Sequence, residues 1–544
     1  MSRATISRLA DAACACVVIA VVVERVRAIA AAPPTDFDDA YMFVRYANNL
    51  IAGHGLAWNP GEPAYGVTGL AHLLAVAALR FARPAWSDAR VLVTASAGAA
   101  LAALAVLSLA CARFASHPWL RGHRWRCAAL VVPLAAYSEP FWFHATRGMD
   151  TMSSLLANAA LIFAVLRLAE RPTRAAAAWC ALASWAAFFA RPDDAVYALA
   201  CPLLAIALLC PPPRRALVLA FAPLAAALVA AHLLAARHFL GTALPLALYA
   251  KRPHAYGGFV GEYTWNPFLF LEVFFRGAAP FAIALVLCAG RRHARALVVL
   301  LAPVALTFAG FFAVNQIMGH LGRFYFPSLA FFVVAAALAA DEPAFARAPA
   351  RLGARVAIAL AAIVGGGAAL EAAGARYERR AESQPLASLG GYHIAAAHPL
   401  PELDSWRSSL EIARIAAAAP PGTRFAMSEH GVVGARAPGA VIIDLVGLHD
   451  RAFALGGFSA RELFRRAPDA IWMPHWDYTQ MIRDLLDADE FWTRYDFYPD
   501  VFTYGLALRK DGPRAAAVRA LVEKSFGENY PGLRLDDYAA KRGE

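Results

Sequence analysis

The chain has 544 residues, 60% of them hydrophobic, with a net charge of +11 and a mean hydropathy of +0.48. Ordinary soluble domains carry roughly 45–50% apolar residues, so the composition excludes a water-soluble globular protein. The positive charge does not point to nucleic acid, because the arginines stand in short connections between apolar runs, the pattern that orients membrane proteins.

Crossing about 30 Å of hydrocarbon takes about 20 apolar residues in helical form. Runs meeting or approaching that length predict membrane helices over 8–31, 91–113, 127–143, 151–168, 174–190, 194–210, 215–238, 270–289, 295–314, 323–340 and 354–374, about eleven in all. The first run lacks a cleavage site before Glu24 to Arg27 and reads as an uncleaved helix with a cytoplasmic N-terminus. Arginine-rich turns at Arg121, Arg124 and Arg126, at Arg167, Arg171 and Arg174, at Arg214 and Arg215, at Arg291, Arg292 and Arg295, and at Arg347, Arg351 and Arg355 are then cytoplasmic. The segment 66–81 is apolar, but as a full span it would reverse every later loop, so it is expected to be interfacial or re-entrant, the alternative being a twelve-span arrangement with a different second hairpin.

The expected fold is an all-α polytopic membrane domain over 1–374, whose first outward loop is 32–90, followed by a soluble α/β domain over 375–544. In the second part, β-rich runs at Arg424–Ser428, Ala440–Val446, Ala470–Met473 and Phe502–Leu508 alternate with helical stretches such as SWRSSLEIARIAAAA. An odd number of spans with the N-terminus inside places that domain outside the cytoplasm, on the periplasmic face of a plasma (inner) membrane. The eight cysteines all lie in or beside apolar runs, so neither a disulfide framework nor a zinc site is expected.

With this topology the unusual polar residues collect on the outward side. Asp38 and Asp39 open a short amphipathic helix that carries Tyr41 and Arg45 on the same face as Asp38. Paired carboxylates beside cations suit general-base chemistry, one carboxylate taking a proton from an attacking hydroxyl; a helix-capping role for Asp38 is the structural alternative. Asp150 is a second acid at a helix start, open to the same two readings. Arg191, Lys251, Arg252 and Arg323 are outward cations suited to a lipid-linked phosphate, or else to snorkelling toward headgroups. His54, in GHGLAWNPGEP, is a substrate contact or simply a loop histidine. His144, His320, His430 and His449 form no metal-ligand spacing, and no HExxH, Walker A or dinucleotide motif occurs.

The run DDAYMFVRYANNLIAGHGLAWNPGEPAYGVTGLAHLL resembles the N-terminal signature of the GT-C membrane glycosyltransferases, in particular the group of the mycobacterial terminal β-(1→2)-arabinofuranosyltransferase. Gly148-Met149-Asp150-Thr151, Arg191-Pro192-Asp193, Leu244-Pro245 through Lys251, Arg323-Phe324-Tyr325 with Pro327, and SEHGVVGARAPGAVIIDLVGLHD resemble further elements of that group, in order, from about 38 to about 510. Departures occur at Val67-Thr68-Gly69, at Asp150 and Asp193 where the group has glutamates, and at Ala247; they leave the sugar open. The resemblance implies transfer of a sugar, with inversion, from a polyprenyl-phosphate donor to an extracytoplasmic glycan or lipid acceptor. It makes an aspartate of the first loop, Asp38 with Asp39 as partner or substitute, the general base. Asp150 is then expected to position the acceptor, while Tyr41, Arg45, His54, Arg191, Lys251 and Arg323 bind substrate. No cofactor is expected: two aspartates can hold a divalent cation, but arginine and lysine suffice for a monophosphate leaving group. The rival expectations are a flippase for lipid-linked sugars and a non-catalytic subunit that binds cell-envelope glycan.

Overall fold

A computed structural model describes residues 2–251, 267–312, 319–340, 349–378, 392–394 and 399–542. Arg252 and Arg347 lie outside the described residues.

Helices dominate the first part of the chain: α1 (Arg3–Ala31), α2 (Asp38–Ile51), α3 (Leu70–Ala82), α4 (Asp88–Phe114), α5 (Arg124–Ala136), α6 (Glu139–Thr146), α7 (Thr151–Glu170), α8 (Arg174–Ala190), α9 (Ala195–Leu208), α10 (Arg215–Leu240), α11 (Leu246–Ala250), α12 (Pro267–Cys288), α13 (Ala294–Phe311), α14 (Leu329–Ala339) and α15 (Pro349–Glu378). Among the described residues, seven helical segments are long and apolar enough to cross a membrane: Ala4–Ala31, Asp88–Phe114, Thr151–Glu170, Arg215–Leu240, Pro267–Cys288, Arg291–Phe311 and His320–Ala339. A helical membrane protein follows from these lengths, because in hydrocarbon each backbone amide must find its partner within its own segment.

Of the other expected spans, 354–374 lies within the 30-residue α15, while 127–143, 174–190 and 194–210 form shorter or interrupted helices. The run 127–143 divides into α5 and α6 around Tyr137 and Ser138, with Pro133 inside the first helix and Pro140 in the opening turn of the second, where a missing N–H costs nothing. The run 323–340 becomes regular helix only at Leu329; two 3-10 turns precede it, with Pro327 in the second. Helix α3 has 13 residues, about 20 Å of length, too short for the hydrocarbon core. It lies against α2, with Leu70, His72, Leu73, Val76 and Ala77 buried.

Small residues let the long helices approach closely. Helix α4, rich in alanine, packs on α7 and α5, and Ser87 caps it by accepting the Arg90 N–H. At the opposite end of the bundle Asp11 of α1 accepts from Arg126 Nε at 2.7 Å and lies 3.1 Å from His123 Nδ1, fastening α1 to α5.

Between α2 and α3 the chain makes a small antiparallel ribbon of β1 (Ala57–Asn59) and β2 (Glu62–Pro63). The C-terminal part holds β3 (Tyr392–Ile394), β4 (Arg424–Met427), β5 (Val441–Asp444), β6 (Ala470–Trp472), β7 (Tyr495–Tyr498), β8 (Leu506–Arg509) and β9 (Ala540–Arg542). A five-stranded sheet runs in the order β5-β4-β6-β8-β7, with β5, β4 and β6 parallel and β8 and β7 antiparallel, while β3 pairs with β9. Helices α16 (Ser405–Ala418) and α17 (Gly431–Arg436) pack on each other in this part, the first capped by Asp404 accepting the Arg407 N–H at 2.9 Å. Strand β8 starts later than the apolar pattern suggests, because Phe502 and Thr503 have positive φ of 52° and 73°, a region closed to extended strand.

Candidate functional site

Helix α2 has two working faces. Asp39, Met42 and Phe43, spaced as neighbours on one side of a helix, line a cavity of about 220 Å³. Gly66, Val67 and Thr68 from the first loop, Arg191 to Asp193 after α8, Ala247 to Lys251 in and after α11, and Arg323 and Phe324 complete the wall, with Leu448 closing it from the C-terminal domain. Most of the lining is apolar, and the charged groups are few and convergent, the usual character of a small-molecule site.

The charges in and behind this cavity are interlocked. Arg323 Nη1 lies 3.3 Å from Asp39 Oδ2, both side chains being largely buried. Arg191 grips Asp193 with two hydrogen bonds, Nε to Oδ1 at 3.0 Å and Nη2 to Oδ2 at 2.6 Å, and donates from Nη1 to the Arg323 carbonyl at 3.3 Å. The Phe324 ring is their common neighbour: the Arg191, Arg323 and Lys251 cationic groups lie 5.5, 5.3 and 6.0 Å from its centroid, within cation–π range. Burial, reinforced by the Arg323 and Arg191 charges, brings the Lys251 ammonium down to about 8, against the opposing pull of Asp39 and Asp150.

Asp150 stands directly behind this wall. It is 1% exposed, its Oδ2 accepts from Thr68 Oγ1 at 3.1 Å, and its Oδ1 has no hydrogen-bond partner among the described residues. Burial alone would raise its carboxyl, but Arg191, Arg323, His72 and the Thr68 hydroxyl together hold it below the ordinary range. Its position is that of a fixed counter-charge to the two arginines, one layer removed from the cavity, and not that of a group presented to an acceptor.

The other face of α2 was expected to bind substrate and instead docks the C-terminal domain. Asp38 uses both carboxylate oxygens as a cap for α17, accepting the Gly431 N–H at 2.7 Å and the Val432 N–H at 2.8 Å; the structural alternative read from the sequence is correct in kind, although the helix capped is a distant one. Burial raises the Asp38 carboxyl, against those two N–H groups and His430. Arg45 spends its donors on the protein: Nε on the Trp58 carbonyl at 2.6 Å, Nη1 on the carbonyls of Gly434 and Ala437, and Nη2 on Asn59 Oδ1 and the Ala440 carbonyl. Tyr41 donates to the Thr35 carbonyl at 2.8 Å and packs beside Trp406. These three side chains line no part of the cavity, and neither does His54, exposed between Gly53 and Gly55 in a turn with positive φ at both glycines. Helical periodicity identifies a face; what the face meets is decided by tertiary contact.

Asp193 stands out in the sequence only as part of the Arg191-Pro192-Asp193 motif, with no role of its own, whereas it pairs Arg191; Phe324, likewise named only in a motif, is the ring shared by three cations. Sequence reasoning missed Glu429, half-buried, whose carboxyl is raised to about 8 by burial and by the neighbouring Asp38 and Asp39. A glutamate in a loop between a strand and a short helix carries no sequence signal of such company. No family model matches the chain, and no curated protein is significantly similar to it.

Proposed function

We propose that this chain is an inverting glycosyltransferase of the membrane, moving a sugar from a polyprenyl-phosphate donor to a glycan or lipid acceptor outside the cytoplasm. The observation that carries the reading is the convergence of Asp39, Arg191, Lys251 and Arg323 on one apolar-walled cavity. A carboxylate among cations is what a hydroxyl nucleophile and a departing phosphate require together. The resemblance of the loop motifs to the GT-C glycosyltransferases supports the same assignment, with about eleven membrane crossings, a cytoplasmic N-terminus and a periplasmic C-terminal domain.

In this reading Asp39, rather than Asp38, is the general base. Its free oxygen takes the proton of an acceptor hydroxyl, whose oxygen attacks the anomeric carbon from the side opposite the phosphate. The bond between anomeric carbon and phosphate oxygen breaks, and its electron pair leaves with the lipid phosphate. Lys251 and Arg323 meet the charge that develops there; Arg191, held by Asp193 and Asp150, keeps the array in place. Apolar residues such as Phe311 and Leu248 offer a path for the first isoprene units.

The test is transfer of radiolabel from a panel of polyprenyl-phosphate sugars by the full chain in lipid nanodiscs and in vesicles. The expected result is labelled acceptor with wild type and loss of transfer with Asp39→Asn. Translocation of label across vesicles without transfer would support the flippase alternative, and failure with every donor sugar would remove the transferase reading.

A further inference from the structure

Behind the cavity wall, three side chains of the C-terminal domain meet although their spacing in sequence matches no metal-binding pattern. His430, Asp444 and His449 are 2%, 0% and 4% exposed, and one ligand atom from each lies within 4.8 Å of the others. His430 Nε2 stands 3.1 Å from Asp444 Oδ1, yet neither ring nitrogen of His430 is in hydrogen-bonding alignment with any described group. A buried imidazole whose one close polar neighbour is a poorly aligned carboxylate is rare in folded proteins, and an ion or a water is the ordinary remedy.

The surroundings orient the other two groups. The Tyr46 hydroxyl lies 3.2 Å from His449 Nδ1 and Met42 Sδ lies 2.7 Å from Nε2, while Trp58 stacks on the ring at 4.1 Å. Asp444 is held by the N–H groups of Val446, Gly447 and His449 at 2.8, 3.2 and 2.6 Å. A carboxylate offers about four lone-pair sites, so one remains.

We propose that His430, Asp444 and His449 bind a divalent transition-metal ion, zinc by preference, in a closed structural centre that braces the wall of the cavity. Two imidazoles and one carboxylate suit zinc, whereas calcium and magnesium take oxygen donors alone. Donors about 2.0–2.1 Å from a tetrahedral zinc ion stand about 3.3 Å apart. His430 Nε2 already stands 3.1 Å from Asp444 Oδ1; the lone pair left on the carboxylate is on Oδ2, so binding requires a small turn of the Asp444 carboxylate and a shift of the His449 ring from within the present 4.8 Å. Met42 covers one side of the site, its Sδ against His449.

The centre is joined to the cavity through residues that serve both. Met42, Gly66 and Leu448 line the cavity; Met42 touches His449, and a side chain at Gly66 would overlap the His449 ring and the Tyr46 hydroxyl. The proposal stands independently of the transferase reading, since it concerns what the protein holds and not what it turns over.

The experiment is metal analysis of the full, tag-free chain in detergent, as isolated and after dialysis against zinc followed by removal of excess. About one zinc per chain is expected for wild type, with less than about a tenth of that for His430→Ala and His449→Ala, as for a site that loses one of three protein ligands. His54→Ala, altered at an exposed histidine, keeps the full content. Should the alanine variants fail to fold, cobalt substitution of wild type replaces them: intense visible absorption bands of tetrahedral cobalt support the centre. Metal-free wild type after zinc dialysis, octahedral cobalt spectra, or equal zinc content in well-folded His430→Ala would overturn it and leave His430 and Asp444 as a metal-free buried ion pair.

Discussion

Asp39 and Arg323 form an ion pair at 3.3 Å that joins positions 284 residues apart, and it ties α2 to the apolar segment His320–Ala339. The neighbouring Asp38 points the other way, into the C-terminal domain, so adjacent carboxylates have unlike duties. Asp39→Asn is expected to lower kcat by about 10²–10⁴, the range of a lost general base, with binding of a non-reactive donor analogue changed little. Asp38→Asn should instead act on stability, with kcat per folded molecule nearly retained. Equal loss of kcat in both variants, at equal thermal stability, would refute this division.

A double-mutant cycle on Asp39→Ala and Arg323→Ala measures whether the pair acts as a unit. Coupling of about 0.5–3 kcal/mol is expected in the thermal stability of the chain, because contacting charged groups are not additive. Strictly additive losses would mean that the two side chains meet without consequence.

The joint between α2 and α17 predicts a mechanical phenotype. A Cβ at Gly431 would overlap the Asp38 carbonyl oxygen, and Arg45→Ala would strip buried carbonyls of their donors at a cost on the order of 3–5 kcal/mol. Gly431→Ala and Arg45→Ala should therefore loosen the C-terminal domain from the membrane part, seen as faster proteolytic release of a fragment beginning near 399 while the helical part stays intact. Wild-type resistance in both variants would disprove the clamp.

Lys251 gives the cavity a pH dependence with a definite sign. Its ammonium is brought down to about 8, so it is cationic below that pH and neutral above. Affinity for a non-reactive prenyl-phosphate sugar analogue, a phosphodiester with no proton to lose in this range, should change little from about pH 6 to 7 and fall as pH rises through about 8, by at most tenfold per unit for a single proton. Lys251→Met should bind more weakly at pH 7 and lose this fall. A titration unchanged by Lys251→Met would assign the dependence elsewhere.

Much of the architecture was legible because it rests on local chemistry. Long apolar runs become helices wherever they occur, and the parallel β4, β5 and β6 carry the continuous apolar stretches of strands covered on both faces. The misreadings have local causes as well. Prolines at 140 and 327 shorten helices that hydropathy alone would extend, and the left-handed residues at 502 and 503 delay a strand.

The site divides along the same line. Asp39, Arg191, Lys251 and Arg323 stood out as outward charges in loops, and they do share a cavity. Asp38, Tyr41 and Arg45 stood out equally, and they face protein. An unusual polar residue at a membrane rim is conspicuous whether it awaits a ligand or a neighbouring domain, since both satisfy the same hydrogen-bonding need.

Composition and the lengths of its apolar runs were enough to make this chain a helical membrane protein, because the bilayer imposes one dimension and one backbone solution. Which side of α2 meets the cavity, which acid serves α17, and how histidines at 430 and 449 reach Asp444 were settled only by folding. The joint of Asp38 with α17 spans 393 residues of chain, and even His430, Asp444 and His449 meet across a strand and turns, so no local periodicity carries information about either partnership.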